Sequence, residues 1–175
     1  ERCNEILKRL TLNPVEEDEF IDKDINIRDY LHEIISSFKE ISKKEFVFNF
    51  DQDSNPKKIS KSIEIVYGLR NFIGNANKFA KNSIFINLKS DSEFTELTVE
   101  DDGNGYPRDI ISKIGEPYLK SNYSKDKSKE GLGLGLFIGK TLLEKNFASV
   151  NCRNSKTRSG AEVVIRWKNK ELFNI

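Results

Sequence analysis

Apolar residues recur every three to four positions in several stretches of the chain, which is the spacing of one face of an α-helix. The first stretch covers residues 1–12 and ends before Pro14, because a proline holds the preceding residue out of the helical region. Further helices are predicted at residues 28–41, 61–81 and 108–114, and from the glycine-rich residues 131–135 to residue 145.

Between these helices, apolar and polar residues alternate, which is the pattern of half-buried β-strands. Strands are predicted around residues 25–27, 46–50, 57–60, 84–88, 97–99, 150–152 and 163–167. Helices and strands do not follow one another in regular alternation. The expected fold class is therefore α+β, a two-layer α/β sandwich with a mixed sheet covered on one face by helices, rather than a doubly wound parallel sheet. Residues 115–130 are polar and are predicted to form a mobile loop.

The composition fits a single domain with a modest core and a highly charged surface. The 175 residues include 29 Lys plus Arg and 28 Asp plus Glu, giving a net charge of +1. This balance argues against a general nucleic-acid binder, which is usually basic. No apolar run approaches the roughly 18 residues of a membrane helix. The chain contains no methionine, so we expect it to begin inside a longer protein.

Cysteine and histidine are scarce. Cys3 and Cys152 lie far apart with no metal-like spacing, which excludes a disulfide scaffold and favours a reducing, intracellular setting. Cys152 falls in a predicted strand and is expected in the core. The single histidine, His32, cannot build a multi-histidine metal site.

A first polar cluster lies on the long predicted helix. Asn71, Asn75 and Lys78 are spaced by four and three residues, which places them on one helical face. Amide oxygens can ligate Mg²⁺, and a lysine can neutralise phosphate oxygens. An ordinary solvated helix face explains this cluster equally well.

A second cluster, Asp101-x-Gly103-x-Gly105, follows a predicted strand. Glycines allow the backbone to approach a ligand closely, and a carboxylate accepts a hydrogen bond from an exocyclic amine. Asp-Gly and Asn-Gly pairs are also common in hairpin turns, so a simple turn remains an alternative.

A third cluster, Gly131-Leu132-Gly133-Leu134-Gly135, precedes a predicted helix. Free backbone N–H groups at a helix start form an anion site, and glycine permits close approach. A flexible hinge is the alternative. The segment is not a Rossmann fingerprint, which would need a glycine where Leu136 stands.

The order of the three clusters resembles that of the ATP-binding domain of sensor histidine kinases. This domain belongs to the superfamily that includes the gyrase, mismatch-repair and heat-shock-chaperone ATPases and has the Bergerat-type ATP-binding fold. Residues 71–79, Asn-Phe-Ile-Gly-Asn-Ala-Asn-Lys-Phe, resemble its N box, and the two glycine clusters resemble its glycine boxes. The resemblance covers about residues 24–167. Gly115-Glu116-Pro117-Tyr118, the glycine-rich helix start and the closing strand are most similar to the redox-responsive RegB/PrrB/ActS group.

The resemblance implies ATP and Mg²⁺ as ligands. Asp101 would accept a hydrogen bond from the adenine amino group, while Gly103 and Gly105 let the chain pass close to the base. Asn75 would ligate Mg²⁺, with Asn71 nearby and Lys78 on a phosphate. The remaining nucleotide contacts would come from Phe79, Tyr118, Gly131, Leu132, Gly133, Leu134 and Gly135. Residues 115–130 would form a lid, in which Lys120 and Lys125 are either nucleotide contacts or merely solvated.

Asn71 and Lys78 are the residues to which the resemblance gives a catalytic role. The ATPase branches place a glutamate at position 71 as general base, and Asn71 cannot take a proton, so phosphoryl transfer is expected rather than fast hydrolysis. The acceptor histidine is expected upstream of residue 1. His32 lacks the residues that follow an acceptor histidine and is interpreted as a structural or surface residue.

The implied organisation is a stub of the dimerisation and phosphoacceptor helix at residues 1–13, a linker at 14–24 and the ATP-binding domain at 25–175. Residues 2–7 resemble the end of that helix in the redox-responsive group, which makes a sensing role for Cys3 conceivable beside simple packing. The implied partners are the phosphoacceptor domain and a response regulator, within a homodimeric, membrane-anchored bacterial sensor whose cytoplasmic part this is. A serine kinase acting on an anti-anti-sigma partner and a non-catalytic nucleotide-sensing domain remain alternatives of the same fold.

Overall fold

The structure, a computed structural model, describes residues 25–51, 58–59, 62–117 and 134–172. In chain order its elements are β1 (Ile25–Asn26), α1 (Ile27–Lys39), β2 (Glu45–Phe50), β3 (Lys58–Ile59), α2 (Ile63–Phe79), β4 (Ser83–Ser90), β5 (Phe94–Asp101), α3 (Arg108–Ile111), α4 (Gly135–Lys145), β6 (Ser149–Asn154), β7 (Ala161–Lys168) and α5 (Asn169–Leu172). The predicted helix at residues 1–12, with Cys3, and the linker lie outside the described residues.

Five strands form one mixed sheet in the order β2-β4-β5-β7-β6. β2 and β4 are parallel, because the chain between them crosses over through α2, and the other neighbours are antiparallel. β1 and β3 form a separate two-stranded antiparallel ribbon. The α+β class predicted from the sequence is confirmed.

The core lies between one face of the sheet and the helices α1, α2 and α4. Alternate strand residues face the helices, as a period of two requires. The buried side chains include Ile84, Ile86, Leu97, Val99, Val163, Ile165 and Trp167 from the sheet, and Leu31, Ile34, Leu69, Phe72, Ile73 and Leu143 from the helices.

Two glycines bring α2 and α4 together more closely than ordinary side chains would allow. A methyl group added at Gly68 would lie 2.7 Å from Leu143 Cγ, and one at Gly139 would lie 2.9 Å from Phe72 Cε2. Glycine inside a helix costs about 0.5–1 kcal/mol relative to alanine. The close contact of the helices offsets that cost and fixes the start of α4 beside α2.

Most predicted elements are present, with different bounds at several ends: Ile27 begins α1 instead of ending a strand, and α1 ends at Lys39 instead of residue 41. The short helix α3 ends at Ile111 instead of residue 114, and turns lead from it to Gly115, which has a φ of 105°. α5 was not predicted, because its sequence Asn-Lys-Glu-Leu has no apolar period. Tertiary contacts hold its start: Asn169 accepts a hydrogen bond from Thr95 Oγ1 at 2.7 Å and donates to Asp91 O at 2.8 Å.

Within the described ranges, none of the helices has the length and apolarity needed to cross a membrane.

Candidate functional site

Asn71 connects the polar face of α2 to the start of α4. Its Nδ2 donates to Tyr67 O, one turn earlier, at 2.8 Å, which leaves Oδ1 available as an acceptor. That oxygen faces α4, since a methyl group added at Gly135 would lie 3.6 Å from it. The structure therefore brings the first and third clusters of the sequence together.

Asn75 and Lys78 lie on the same face of α2, closer to its end. Asn75 is half-buried, and its side chain makes no hydrogen bond to any other residue in the described part of the chain. Lys78 is exposed, and its Nζ lies 5.4 Å from the centre of the Phe79 ring. Phe79 is 44% exposed, so the face that begins half-buried at Asn71 opens to solvent at the end of the helix.

Asp101 ends β5 at the centre of the sheet and is only 2% exposed. Its Oδ1 accepts hydrogen bonds from Gly103 N at 2.8 Å and Ala161 N at 3.3 Å. No donor among the described residues reaches the other oxygen, Oδ2. Burial raises the pKa of this carboxyl above its ordinary value, and the two backbone hydrogen bonds oppose that rise.

The turn after Asp101 packs directly on the end of α2. A methyl group added at Gly103 would lie 2.4 Å from Phe79 O, so only glycine fits there. Asp102 accepts hydrogen bonds from Lys81 N at 2.7 Å and Asn82 N at 3.0 Å, in the connection between α2 and β4. Burial acts to raise the pKa of Asp102, but these backbone N–H groups outweigh it and hold the pKa below its ordinary value. The second cluster is thus joined to the first.

The end of α2 is also held by the chain that leads into the edge strand β2. Lys44, just before β2, donates from Nζ to Asn77 O and, at 3.4 Å, to Lys78 O. A cation on the last carbonyls of a helix is favourable, because those groups carry the negative end of the helix dipole. Lys44 therefore fixes the helix end on which Gly103 packs.

The first turn of α4 is an open helix start. Leu134, at the N-cap, has an apolar side chain and no side-chain cap hydrogen bond, so within the described ranges no side chain caps the first N–H groups of α4. Such groups attract anions through their free hydrogens and the positive end of the helix dipole. Gly135 begins the helix beside Asn71.

The remaining predicted contacts lie outside the described residues. These are Tyr118, Gly131, Leu132 and Gly133, together with the predicted lid contacts Lys120 and Lys125. The described part of the site therefore consists of the α2 face, the start of α4 beside Asn71 and the Asp101 turn packed on the end of α2 at Phe79.

Residues 60–171 match the family model described as histidine kinase-, DNA gyrase B- and HSP90-like ATPase. This match spans well over half of the chain and includes every described part of the site. The chain belongs to this ATPase family.

Two proteins of known sequence that are similar to this chain are bacterial sensor proteins. The chain is 35% identical to the sensor histidine kinase RegB of Cereibacter sphaeroides over 119 residues, which cover 59% of the chain and 26% of that protein. It is 31% identical to the sensor protein RstB of Escherichia coli over 99 residues, covering 57% of the chain and 23% of RstB. The chain thus spans about a quarter of the length of these relatives. The resemblance to sensor histidine kinases, including RegB, is confirmed.

Among solved structures, the mycobacterial sensor histidine kinase MprB has the same fold. The TM-score is 0.69 at 19% identity, and the match covers 82% of this chain and 96% of that one. At this identity the likeness concerns the fold alone, and it agrees with the two-layer arrangement predicted from the sequence.

Four residues around the site were not among the predicted site residues: Lys44, Asp102, Asn154 and Gly160. Asp102 lies inside the predicted cluster 101–105 and Gly160 lies just before the predicted last strand, but no sequence pattern indicated their contacts. Lys44 and Asn154 gave no signal at all, because their contacts depend on which strand ends meet. Asn154, at the end of β6, hydrogen-bonds the backbone of Tyr106.

The residues present fit a magnesium ion held mainly by phosphates. Mg²⁺ prefers oxygen ligands and is often bound by one or two protein groups plus substrate phosphates. Asn75 offers an amide oxygen with no competing partner in the described ranges. Those ranges contain no group of three or more His, Cys, Asp or Glu residues that could hold a metal by themselves.

A separate open cleft of about 400 Å³ lies between α3, α4 and the edge strand β6. Its lining includes Ile111, Ile114, Lys140 and Cys152, but none of Asn71, Asn75 or Asp101. The cleft is therefore distinct from the site described above.

His32 and Cys152 occupy the kinds of position expected from the sequence. His32 is exposed on α1, and its ring meets the edge of Phe48 with 4.9 Å between centres. Cys152 is half-buried and packs against the core. Burial raises the pKa of its thiol to about 11, so this cysteine is protonated and unreactive near neutral pH.

Proposed function

We propose that this domain is the ATP-binding catalytic part of a sensor histidine kinase. It would transfer the γ-phosphoryl group of ATP to a histidine outside the described residues, for relay to a response regulator. The observation that carries the proposal is that the start of α4 and the Asp101 turn both contact α2, beside Asn71 and at Phe79, with Asn75 between these two points along the helix. Membership of the ATPase family and similarity to sensor kinases support it.

Asp101 is the residue proposed to recognise adenine. Its Oδ1 is engaged by Gly103 and Ala161, while Oδ2 has no donor in the described ranges. A carboxylate oxygen accepts hydrogen bonds, and the exocyclic amine of adenine is a donor that Oδ2 can engage. Guanine presents a carbonyl oxygen at the equivalent position, so the same geometry disfavours GTP.

The phosphates would lie between α2 and the start of α4. Lys78 and the free N–H groups of α4 supply positive charge there, and Gly135 admits a phosphate close to the backbone. Asn75 would hold Mg²⁺ through its amide oxygen, and a bound ion neutralises charge on the phosphates. We extend the phosphate site to Gly131, Leu132, Gly133 and Leu134, and the base site to Phe79 and Tyr118, on the resemblance of the sequence.

Asn71 favours transfer over hydrolysis. Its Nδ2 is fixed on Tyr67 O, so its Oδ1 is oriented towards the phosphate side of the site. An amide oxygen can orient a group there but cannot accept a proton from water at neutral pH. Asn71 and Lys78 would therefore position and stabilise the γ-phosphoryl group while a protein nucleophile attacks it.

The phosphoaccepting group is proposed to lie in another part of the protein. His32 is on α1 with its ring against Phe48, and neither residue belongs to the site described above. We propose that residues 1–13 belong to the phosphoacceptor helix, that 14–24 are a linker and that 25–175 form the catalytic domain. The whole protein would be a homodimeric, membrane-anchored sensor with this part in the cytoplasm, acting on a response regulator and not on nucleic acid.

Similarity to RegB supports a further proposal that the protein responds to redox state. The thiol of Cys152 is a poor sensor, because burial raises its pKa to about 11. Cys3 is therefore the residue proposed to carry such a response. Replacing Cys3 with serine in the longer protein should abolish any effect of oxidant on kinase activity.

Titration calorimetry with Mg-ADP tests the nucleotide site. Asp101→Asn keeps an oxygen for Gly103 N but replaces the Oδ2 acceptor with a donor that faces the adenine amine. We expect binding to weaken on the order of 10- to 100-fold, since hydrogen bonds to charged groups contribute about 1.5–3 kcal/mol. Asp29→Asn, an exposed change at the start of α1, is the matched control and should bind as the unaltered chain does.

Two results would contradict the nucleotide site: no binding of Mg-ADP by the unaltered chain, or equal binding by Asp101→Asn.

The phosphoryl-transfer step has its own test. A longer chain that includes the upstream acceptor should form acid-labile phosphohistidine from ATP. If the label is acid-stable and on serine, the serine-kinase alternative is correct, and if the longer chain binds ATP without any transfer, the non-catalytic alternative is correct.

A further inference from the structure

Asn154, at the end of the edge strand β6, holds the glycine turn by two hydrogen bonds. Its Oδ1 accepts from Tyr106 N at 2.6 Å, and its Nδ2 donates to Tyr106 O at 3.0 Å. The amide side chain thus pairs with both backbone groups of one residue, as a neighbouring strand would. This side chain is a two-point clamp on the chain directly after Gly105.

The shape of the turn is adapted to this clamp. Gly105 has a φ of 74°, in the left-handed region that favours glycine. A methyl group added there would lie 2.7 Å from Asn154 Oδ1. Gly105 is therefore required both by its backbone conformation and by the close approach of the Asn154 amide.

The connection between β6 and β7 also contacts the other end of the turn, at Asp101. Ala161 N donates to Asp101 Oδ1 at 3.3 Å, and a methyl group at Gly160 would lie 1.8 Å from Asp101 O. The neighbouring carboxylate, Glu100, is 6% exposed. It accepts from Ser155 Oγ, from Thr157 Oγ1 at 3.2 Å and from Arg158 Nε at 3.2 Å. Residues 154–161 thus hold the turn at both ends.

We propose that Asn154 is a positioning residue for base recognition. By fixing Tyr106 it fixes the far end of the turn 101–106, so that Asp101 Oδ2 and the backbone of Gly103 and Gly105 present one rigid surface to the adenine. Both side-chain hydrogen bonds of Asn154 in the described part of the chain go to Tyr106, and neither goes to the α2 face or the start of α4. Substitution of Asn154 should therefore weaken the binding of the adenine base and leave the binding of the phosphates unchanged. This inference rests on the proposed nucleotide site.

A purely structural role is the competing explanation. The Tyr106 side chain is 8% exposed, so Asn154 also anchors a core residue. Loss of that anchor would lower the stability of the whole domain and the fraction of folded protein. It would not change the preference of the folded molecules for one base over another. The test must therefore measure selectivity.

The test compares Asn154→Asp with Asn151→Asp. In Asn154→Asp, one oxygen still accepts from Tyr106 N, but the other now faces Tyr106 O and repels it. Asn151 lies three residues earlier on the same strand, is exposed, and makes no side-chain hydrogen bond to the described residues. Both variants add the same charge to β6, so a difference between them reports the clamp.

Calorimetry would use Mg-ADP, Mg-GDP and inorganic tripolyphosphate as probes. For Asn154→Asp we expect the Kd for ADP to rise about tenfold, which corresponds to about 1.4 kcal/mol, with a smaller preference for ADP over GDP. The Kd for tripolyphosphate should stay within twofold. Asn151→Asp should match the unaltered chain for all three. Asn154→Ala, which removes the clamp without adding charge, should raise the Kd for ADP about threefold.

The possible failures are distinguishable. If the unaltered chain does not bind ADP, the proposed nucleotide site is wrong and the inference falls with it. If the unaltered chain binds ADP and the Asn154 variants bind it equally well, only the positioning role is wrong. An equal loss for ADP and tripolyphosphate, or a lower stoichiometry at unchanged Kd, would also overturn it in favour of a structural role.

Discussion

The two sides of the candidate site are built in different ways. On the proposed adenine side, the turn 101–106 is held by backbone and side-chain hydrogen bonds from Ala161, Asn154 and the α2–β4 connection, and its carboxylate is buried. On the proposed phosphate side, Asn75 and Lys78 project from α2, and the first turn of α4 has no side-chain cap. One side is fixed by its neighbours, and the other presents groups available to a ligand.

This difference matches what each part of a nucleotide demands. A flat base is recognised by donors and acceptors at fixed positions, so a turn that is already in place avoids the cost of ordering it on binding. A triphosphate with its ion changes charge and geometry during transfer, and side chains that project from a helix can adjust to it. Substitutions that disturb the packing of the first side should therefore cost stability, and substitutions of the projecting groups on the second side should cost ligand affinity without a loss of stability.

Gly160→Ala should give the largest effect. Its new methyl group would lie 1.8 Å from Asp101 O and 2.5 Å from Asp101 C, which backbone atoms can avoid only by shifting. We expect the free energy of unfolding to fall by about 3 kcal/mol or more, as for severe overpacking. Urea unfolding followed by circular dichroism would measure it.

Gly135→Ala, on the phosphate side, is the matched comparison. The nearest atom to its new methyl group would be Asn71 Oδ1 at 3.6 Å, an ordinary contact. Alanine is also the better helix former, so stability should be unchanged or higher by about 0.5 kcal/mol. Equal losses in the two variants would contradict the distinction between a packed side and an open side.

Asn75→Ala should have an intermediate effect, and on affinity alone. Without the amide oxygen, Mg²⁺ should no longer strengthen the binding of ADP, so the Kd with Mg²⁺ should approach the Kd measured in EDTA, a change of about tenfold. Stability should stay within about 0.5 kcal/mol, because the side chain makes no hydrogen bond to the described residues.

Asn77→Ala on the same helix is the control for Asn75. Its Oδ1 accepts from Ser42 Oγ at 2.7 Å, on the side of α2 that faces the chain before β2. It should lose about 1 kcal/mol of stability and keep the response to Mg²⁺. If Asn77→Ala abolished that response and Asn75→Ala did not, the assignment of the metal ligand would be wrong.

More of the proposed phosphate side than of the proposed adenine side could be predicted from the sequence. Period and spacing located the α2 face and Asp101, because a helical repeat puts Asn71, Asn75 and Lys78 in line whatever surrounds them. The clamp by Asn154 and the fit of Gly160 escaped prediction, because both arise from the pairing of β6 with β7 and of β7 with β5. Lys44 meets the end of α2 only because β2 and β4 are parallel neighbours. Contacts between residues far apart in sequence leave no local pattern to detect.

Asp101→Asn should change stability in the direction opposite to its effect on binding. Burial raises the folded-state pKa of Asp101 above 3.8, so the folded protein holds this proton more tightly than the unfolded chain does. Stability then falls as pH rises from below 3.8 through the raised pKa, and the buried charge costs free energy at neutral pH. A neutral asparagine avoids that cost.

Urea unfolding of both proteins at several pH values would measure the difference. At pH 7 we expect Asp101→Asn to be the more stable protein, and below about pH 3.8 the two curves should converge, because the native carboxyl is then protonated in both states. Asp102 provides the opposite case. Its pKa is held low by backbone N–H groups, so Asp102→Asn should lose stability at pH 7 and approach the unaltered chain only at still lower pH. A lower stability of Asp101→Asn at pH 7 would contradict this account. The carboxylate would then stabilise its own turn, and Asp101 would have a structural role at the end of the sheet instead of a role in binding a ligand.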